Sequence, residues 1–429
     1  MKTFHYFLLL LLAHSALCLD ATKSIKISVG NTTNYARAAA DVVLSIQDLR
    51  KLASDFTPGS VMVTCTAAAT LEEDARIAES VELPSQVDDL DGDNKGDELA
   101  FQIDLAPRQT RIVTISYGAP DRILRLRSEY PERTNALFSS KIEGLGWESD
   151  RIAFRLYFDP RNDIDIYGKR SRSLQLKLFA APDYPYHAES PEGRDIFRIG
   201  GAIGIGAVAA WVDGKVVKAA DVKERKWRIV SIGPVRSIVE IEYRGWNLGR
   251  ESINLRSRIT QWAGEHGFYH AITTDPSPSI EFVTGLTARQ GILEKKSLPV
   301  NSDSVTWLAT WGEQVVAPGP TATEMVFGQN LGLAVLTTGL PVQFTADPLN
   351  DLLRFSIHDG RASWYAMAAW DQEDTEQRDD SAKSGTRFHA SLSRLADSIS
   401  TRAAFLAAVE DQSIRMSRPL KIQILSQAN

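Results

Sequence analysis

The chain is 429 residues long, 43% hydrophobic and 24% charged, with a formal charge of −6 and a pI near 5.8. That length suits two or three domains, or one large all-β unit, and the composition is that of an ordinary globular protein. The acidic balance argues against nucleic acid or an anionic membrane as principal partner, since either favours a basic surface.

The first residues read as a targeting segment, which predicts export to the periplasm or beyond the cell. Lys2 supplies a positive start, FLLLLLA (7–13) a short apolar core, and Ala16-Leu17-Cys18 a cleavage site. Leu17 is bulky where a lipidated Cys18 calls for a small neighbour, so simple cleavage after Cys18 is preferred. The apolar run is too short to span a bilayer, and no later stretch is apolar enough. Cleavage leaves Cys65 alone, without a disulfide partner, and leaves five of the seven histidines.

After this leader (1–18), residues 24–29, 42–46, 61–65, 99–105 and 111–117 alternate apolar and polar side chains, the period of half-buried strands. DLRKL forms a helical turn, and Pro58-Gly59 and the segment 106–109 form turns between strands. Short strands with closely spaced turn signals predict a small β-sandwich over 19–120. Within it, Asp89, Asp91, Asp93 and Asp97 match positions 1, 3, 5 and 9 of a calcium loop. Asn94 replaces the turn glycine and Ala100 the bidentate glutamate, so an acidic hairpin turn stands beside a calcium ion that would be structural.

Residues 122–136 read as a polar linker or crossover to a second, larger β-sandwich over 121–429. Its predicted strands are 152–158, 174–179, 207–212, 228–231, 238–243, 252–261 and 267–273, then 305–310, 323–327, 333–337, 352–357 and 364–370. Trp262 to His266 is a hairpin loop. The segment 371–383 is a charged, solvated loop, and AAFLAAVE, capped by the 398–401 region and preceded by a turn at 392–395, is the one helix. The fold class is therefore all-β and mostly antiparallel, with a carboxy-terminal helix.

No nucleophile elbow, zinc helix, phosphate loop or cysteine pair is present. Gly200, Gly201, Gly204 and Gly206 precede a strand, which rejects a dinucleotide loop and points to close backbone passage. His266 and His270 share a strand face about 13 Å apart, too far to chelate one metal. His358 sits at a turn, and His389 is ambiguous. Chemistry concentrates between Gly144 and Trp211, which suggests a sugar-binding or sugar-cleaving site. There His187 stands with Tyr184, Tyr186, Glu189, Glu192, Arg194 and Asp195, with Lys169 and Arg170 upstream. A histidine titrating near neutrality can act as acid or base, and Lys or Arg can bind a carboxylate. A structural loop histidine satisfied by a neighbouring carboxylate is the competing reading.

The segments VELPSQVDDLDGDNKGDELAFQIDLAP, GWESDRIAFRLYFDP, DIDIYGKR, YHAESPEGRDIFRIG, WRIVSIGPVRSIVEIEY and WYAMAAW occur in this order. Together they resemble an exported bacterial family catalogued as domain of unknown function 4861. That family includes an oligosaccharide dehydratase of ulvan breakdown. The family's tyrosine–histidine pair falls on Tyr186-His187, its tryptophan-led block on Trp147, Glu148, Asp150 and Arg151, and its glycine–glutamate segment on residues 191–195. Ser190-Pro191 and Ala202-Ile203-Gly204 depart from the family pattern.

The resemblance implies a supersandwich like those of sugar mutarotases and polysaccharide lyases, and β-elimination from a uronate-containing oligosaccharide. That chemistry needs an acid, a base and neutralisation of the sugar carboxylate. On this reading His187 and Tyr186 supply base and acid, and Lys169, Arg170 and Arg155 are carboxylate partners. Trp147, Tyr184 and Trp364 stack sugar, and Arg151, Glu192 and Asp195 line the substrate. No cofactor is required, an acidic oligosaccharide is the expected partner, and a homodimer stays open. Two alternatives remain: a glycoside hydrolase using two of Glu148, Glu189, Glu192 and Asp195, and a non-catalytic carbohydrate-binding protein.

Overall fold

Alternating apolar and polar side chains become layered antiparallel sheets throughout this molecule. The computed structural model describes residues 22–66, 80–275, 277–288, 292–300, 303–313, 329–357, 359–373 and 399–428. The leader, His358, His389, the strand at 323–327, the turn at 392–395 and most of the charged loop lie outside them.

Two sheets, of five and three strands, form the amino-terminal sandwich around Ile25, Ile27, Val42, Phe101, Val113 and Ile115. Ser45 starts α1 (Ile46–Leu52) by accepting the Asp48 amide at 3.3 Å. The last strand, Lys421–Ala428, which the alternation did not flag, pairs with Lys23–Gly30. By its hydrogen bonds the end of the chain thus lies in the amino-terminal sheet, across the boundary expected near residue 120.

Two local expectations are corrected. The segment taken as a linker contains α2 (Pro120–Leu126), with proline in its first turn, and the beginning of the strand Thr134–Ser139. Residues 174–179, expected as a strand, contain the short helix α3 (Leu176–Phe179). The Glu148 carboxylate accepts the Gln175 and Leu176 amides at 2.8 and 2.9 Å, satisfying groups a helix start leaves open. Leu176 and Phe179 then pack against Ile142, Ala153 and Tyr167.

The remaining strands make three sheets. The largest has eight strands, from Glu224–Ser231 at one edge to Ile292–Val300 at the other. In Ser252–Trp262, Ile253, Leu255 and Ile259 face the main core while Arg256 and Arg258 turn the other way. Part of that outer face is covered by α4 (Arg402–Ser417), whose Thr401 cap accepts the Ala404 amide at 3.2 Å. Phe405 and Val409 of α4 cover Trp307, Trp311, Tyr365 and Met367. Burying each such apolar side chain stabilises by about 1.5–3 kcal/mol.

A five-stranded sheet carries the candidate site. Its order is Gly193–Asp195, Ile164–Lys169, Ile152–Tyr157, Gly144–Ser149, Thr134–Ser139. One face places Trp147, Phe154, Ile164 and Ile166 in the main core. Gly204 (φ +78°) lets the chain cross this sheet, since a Cβ there would lie 1.9 Å from the Ile164 carbonyl oxygen. The close backbone passage expected of the glycine cluster is thus made at Gly204, whereas a Cβ at Gly200 would meet nothing within 4 Å and one at Gly206 would meet the Ala366 side chain at 2.5 Å.

Candidate active site

The opposite face of that sheet bears a polar stripe, and Arg155 is its centre. Register sets Arg155 opposite Asp165 and Tyr167 opposite Asp195, which gathers these side chains on one face. Arg155 Nε and Nη2 donate to Asp165 Oδ2 at 3.0 and 2.7 Å, and Nη2 donates to Asp195 Oδ2 at 2.9 Å. Nη1 donates to the Tyr186 hydroxyl at 3.2 Å, and Tyr157 donates its own hydroxyl to Asp165 at 2.9 Å. Burial opposes the Arg155 charge, but Asp165, Tyr167 and Asp195 outweigh it and hold the guanidinium protonated. One cation therefore serves two buried carboxylates. Burial first, and repulsion from Asp165 second, push the Asp195 carboxyl upward against the pull of Arg155.

His187 closes the open end of this cluster. Its side chain is 38% exposed, and Nδ1 lies 3.4 Å from Asp195 Oδ2. That Nδ1 atom is itself buried, so the exposed part of the ring is its outer edge. Burial, reinforced by the Arg155 charge, lowers the His187 pKa, which keeps the imidazole neutral and proton-accepting near pH 7. Lys141 lies beside it, 5.5 Å from the Tyr186 ring centroid, and Glu143 also acts on its charge. Arg161 stacks on Tyr157 with 3.7 Å between guanidinium carbon and ring centroid.

The structure separates the other expected site residues. Lys169 is sealed: its Nζ lies 3.0 Å from Glu148 Oε2 and 2.9 Å from the Ser173 carbonyl, and it also donates to Ser149. Both side chains of that pair are fully buried, so Lys169 holds the fold and not a substrate carboxylate. Arg170 pairs with Glu189 and lies 5.1 Å over the Trp370 ring. Arg151 is buried with Nη1 3.4 Å from Glu373.

Trp147 and Trp364 are each 1% exposed. Trp147 packs on Phe154 and Phe268, and Trp364 donates from Nε1 to the Gly206 carbonyl at 2.8 Å, so neither offers a face to a sugar. Tyr186 is buried with its hydroxyl on Arg155, which removes it as the exposed acid. Tyr184 is half-buried and hydrogen-bonded to Ser190 at 2.7 Å, with its hydroxyl 3.4 Å from Glu192.

In the acidic loop, Asp89, Asp91 and Asp97 bring ligand oxygens within 4.8 Å of one another. Asp93 is not among them; it pairs with Lys95 at 2.8 Å. Asp89 accepts the Gly92 and Asn94 amides at 2.7 Å each, so turn geometry accounts for part of this arrangement.

His266 and His270 go separate ways. His266 Nε2 lies 2.7 Å from Glu373 Oε2, whereas His270 is buried between Ser257, the Gly206 carbonyl and Trp364. Sequence reasoning missed Tyr157, Asp165, Lys141 and Glu373. Tyr157 was readable two residues from Arg155, where alternation repeats the face. Asp165 required the pairing register, and Lys141 and Glu373 arrive from distant segments.

The chain belongs to the family described as domain of unknown function (DUF4861), whose profile matches residues 29–403. It is similar to "Uncharacterized protein P7" of Formosa agariphila, at 23% identity over 376 residues, covering 80% of this chain and 85% of that protein. Among solved structures it is similar to a glycosyl hydrolase family 38 protein from Enterococcus faecalis, with TM-score 0.47, 10% identity and 94% of this chain covered. An α-mannosidase from Enterococcus faecalis V583 gives TM-score 0.45 and 9% identity, also over 94% of this chain. This chain spans about half of those two structures, 47% and 46% of their lengths.

Proposed function

We propose that this protein is an exported enzyme of acidic polysaccharide breakdown that performs β-elimination on uronate-containing oligosaccharides. The observation that carries the reading is the Asp195–His187 pair: a neutral, outward-facing imidazole backed by a buried carboxyl in a cluster one cation short. His187 takes the proton next to the sugar carboxylate, the released electron pair forms the carbon–carbon double bond as the bond from the β carbon to the leaving oxygen breaks, and the imidazolium, beside Asp195, returns that proton to the departing oxygen. Lys141 at the rim neutralises the carboxylate on which charge develops. Buried Arg155 and Tyr186, with half-buried Tyr157 donating to Asp165, hold this geometry.

Of the four carboxylates a hydrolase would draw on, Glu148 is sealed with Lys169, Glu189 is paired with Arg170 and Arg194, and Asp195 is buried behind His187, which leaves Glu192, half-buried with the Tyr184 hydroxyl 3.4 Å away, without a second carboxylate of the set to work with. The binding-protein reading loses Trp147 and Trp364 to the core. Elimination is thus the reading with most support.

The test is to incubate the mature protein with uronate oligosaccharides and follow unsaturated-uronate absorbance together with product mass. Elimination leaves a new double bond, with loss of water or bond cleavage; gain of water establishes hydrolysis instead. His187→Gln should lower turnover by about 10²–10⁴-fold. Full turnover in that variant removes His187 from the mechanism.

A further inference from the structure

We infer that Trp227 and Phe138 form a sugar-stacking subsite beside the candidate active site, for a sugar residue neighbouring the one that reacts. The inference deepens the proposed function and takes its substrate class from that reading, but its residues are different ones. Of the nine tryptophans, Trp227 alone is exposed, at 39%. Its ring lies parallel to that of Phe138, itself 38% exposed, with 4.7 Å between centroids and 6° between planes. Phe158, half-buried, meets Phe138 edge-on at 5.5 Å.

Register explains why these rings are uncovered. Phe138 pairs with Leu145 and Trp227 with Ile241, both core residues, so each aromatic lies on the inward face of its sheet. Their strands, Thr134–Ser139 and Glu224–Ser231, are edge strands, and past an edge no further strand covers that face. The two edges run side by side. At one end the Thr134 amide donates to the Gly233 carbonyl at 3.0 Å and closes the seam; at the other the rings stand open. That open end is the end of the five-stranded sheet that holds the candidate site, because Leu145 pairs in turn with Leu156, the neighbour of Arg155. The turn at 140–143 carries the chain round it, with Lys141 5.5 Å from the Tyr186 ring centroid and Glu143 paired with Arg161. Thr134–Ser139 stands two strands from Ile152–Tyr157, about 10 Å at ordinary strand spacing, so a ring stacked here is not the one at His187.

The patch suits the chemistry of a pyranose. The C–H face of a sugar ring is flat and apolar, and packs on an aromatic ring as other apolar surface does. The Trp227 Nε1 has no hydrogen-bond partner among the described residues, which leaves a donor for a hydroxyl or carboxylate beside the stack. The charged groups around the rings are already paired. Arg225 donates to the Asp159 and Ala219 carbonyls, Lys226 meets Glu224, and Arg161 meets Asp159 and Glu143. The rings, and not unpaired charge, therefore select the occupant. Three rings fall well short of the roughly 20–30 residues a side of a standard protein interface, which favours a sugar over a second protein surface.

Acrylamide quenching of tryptophan emission reads the subsite without turnover. In the mature protein hexagalacturonate should shield the exposed indole from the quencher, and the Trp227→Phe protein should lose that shielded component. Calorimetric titration should show hexagalacturonate binding about tenfold more weakly to Trp227→Ala, with a native near-ultraviolet circular dichroism spectrum. If Trp227→Ala does not fold, the same titration of Trp227→Phe, which keeps a ring against Phe138, should still show weakened binding. Emission that hexagalacturonate leaves unshielded, or wild-type affinity in the folded variant, overturns the inference. So does a dimer in sedimentation that the substitution dissolves, because a second copy then covers the rings. The two proposals fail separately. Shielding by hexagalacturonate without any product defeats elimination alone. Turnover of hexagalacturonate at wild-type KM in the folded variant defeats the subsite alone.

Discussion

Two ion clusters sit on the same face of one sheet and behave in opposite ways. Lys169 and Glu148 balance one charge against one, and backbone groups from Ser149, Ser173, Gln175 and Leu176 satisfy the rest. Arg155, two strand positions away in the stripe, serves two carboxylates, and burial with repulsion from Asp165 pushes Asp195 toward its protonated form beside the exposed, neutral His187. The contrast shows that burial alone does not distinguish scaffold from site. Charge balance and an open edge do: the first cluster has nothing left to offer a ligand, and the second has a proton to place.

The largest effect should come from unbalancing the closed cluster. Lys169→Met leaves Glu148 charged and buried, which should cost about 3–5 kcal/mol by denaturant unfolding. Lys169→Met/Glu148→Gln should recover much of that loss while sparing turnover. If the single substitution leaves stability unchanged and abolishes uronate turnover, the two clusters have been assigned the wrong way round.

The histidines repeat the contrast and separate by pH. Burial lowers the His270 pKa to about 4, against the opposing pull of the Gly206 carbonyl. A folded-state pKa below the unfolded value means the unfolded chain binds more protons between the two. Stability from His270 is therefore fully present above about pH 6.5 and is lost as pH falls toward 4, up to about 3 kcal/mol. His270→Gln should flatten the acid limb of a thermal-midpoint profile. His187 is also lowered, but it is partly exposed, so its protonation should appear as an acid limb in turnover below the ordinary histidine range. An acid limb in turnover that follows His270→Gln and not His187→Gln breaks the distinction.

The smallest expected effect belongs to the acidic loop, a third carboxylate cluster that is neither buried nor paired throughout. If Asp89, Asp91 and Asp97 hold structural calcium, the ion at roughly ten times its Kd should add about 1.4 kcal/mol, removable by chelator. A thermal midpoint indifferent to calcium and chelator makes the loop an acidic turn.

Much of the fold was legible because strands announce themselves by period two. Residues 252–261 carry that period and 364–370 a continuous apolar run of a strand buried on both faces, and both form ladders of the large sheet. Residues 174–179 misled because Leu174, Leu176 and Leu178 alternate, while the feature that makes a helix start there is the distant Glu148. In the strand Lys421–Ala428 the alternation is confined to Lys421–Ile424, too short to mark it, and its pairing with Lys23–Gly30, at the other end of the chain, is not written in any local pattern.

The sequence by itself determined the all-β class and the family and pointed to the neighbourhood of Tyr186-His187 as the candidate site, since each depends on local pattern or on the order of family-like blocks. Only tertiary structure decided which charged residues are available. Lys169 and Arg155 look alike in the chain, and Trp147 looks like a sugar platform. Their roles follow from register and from what covers each face, because burial and pairing are properties of neighbours that sequence separation hides.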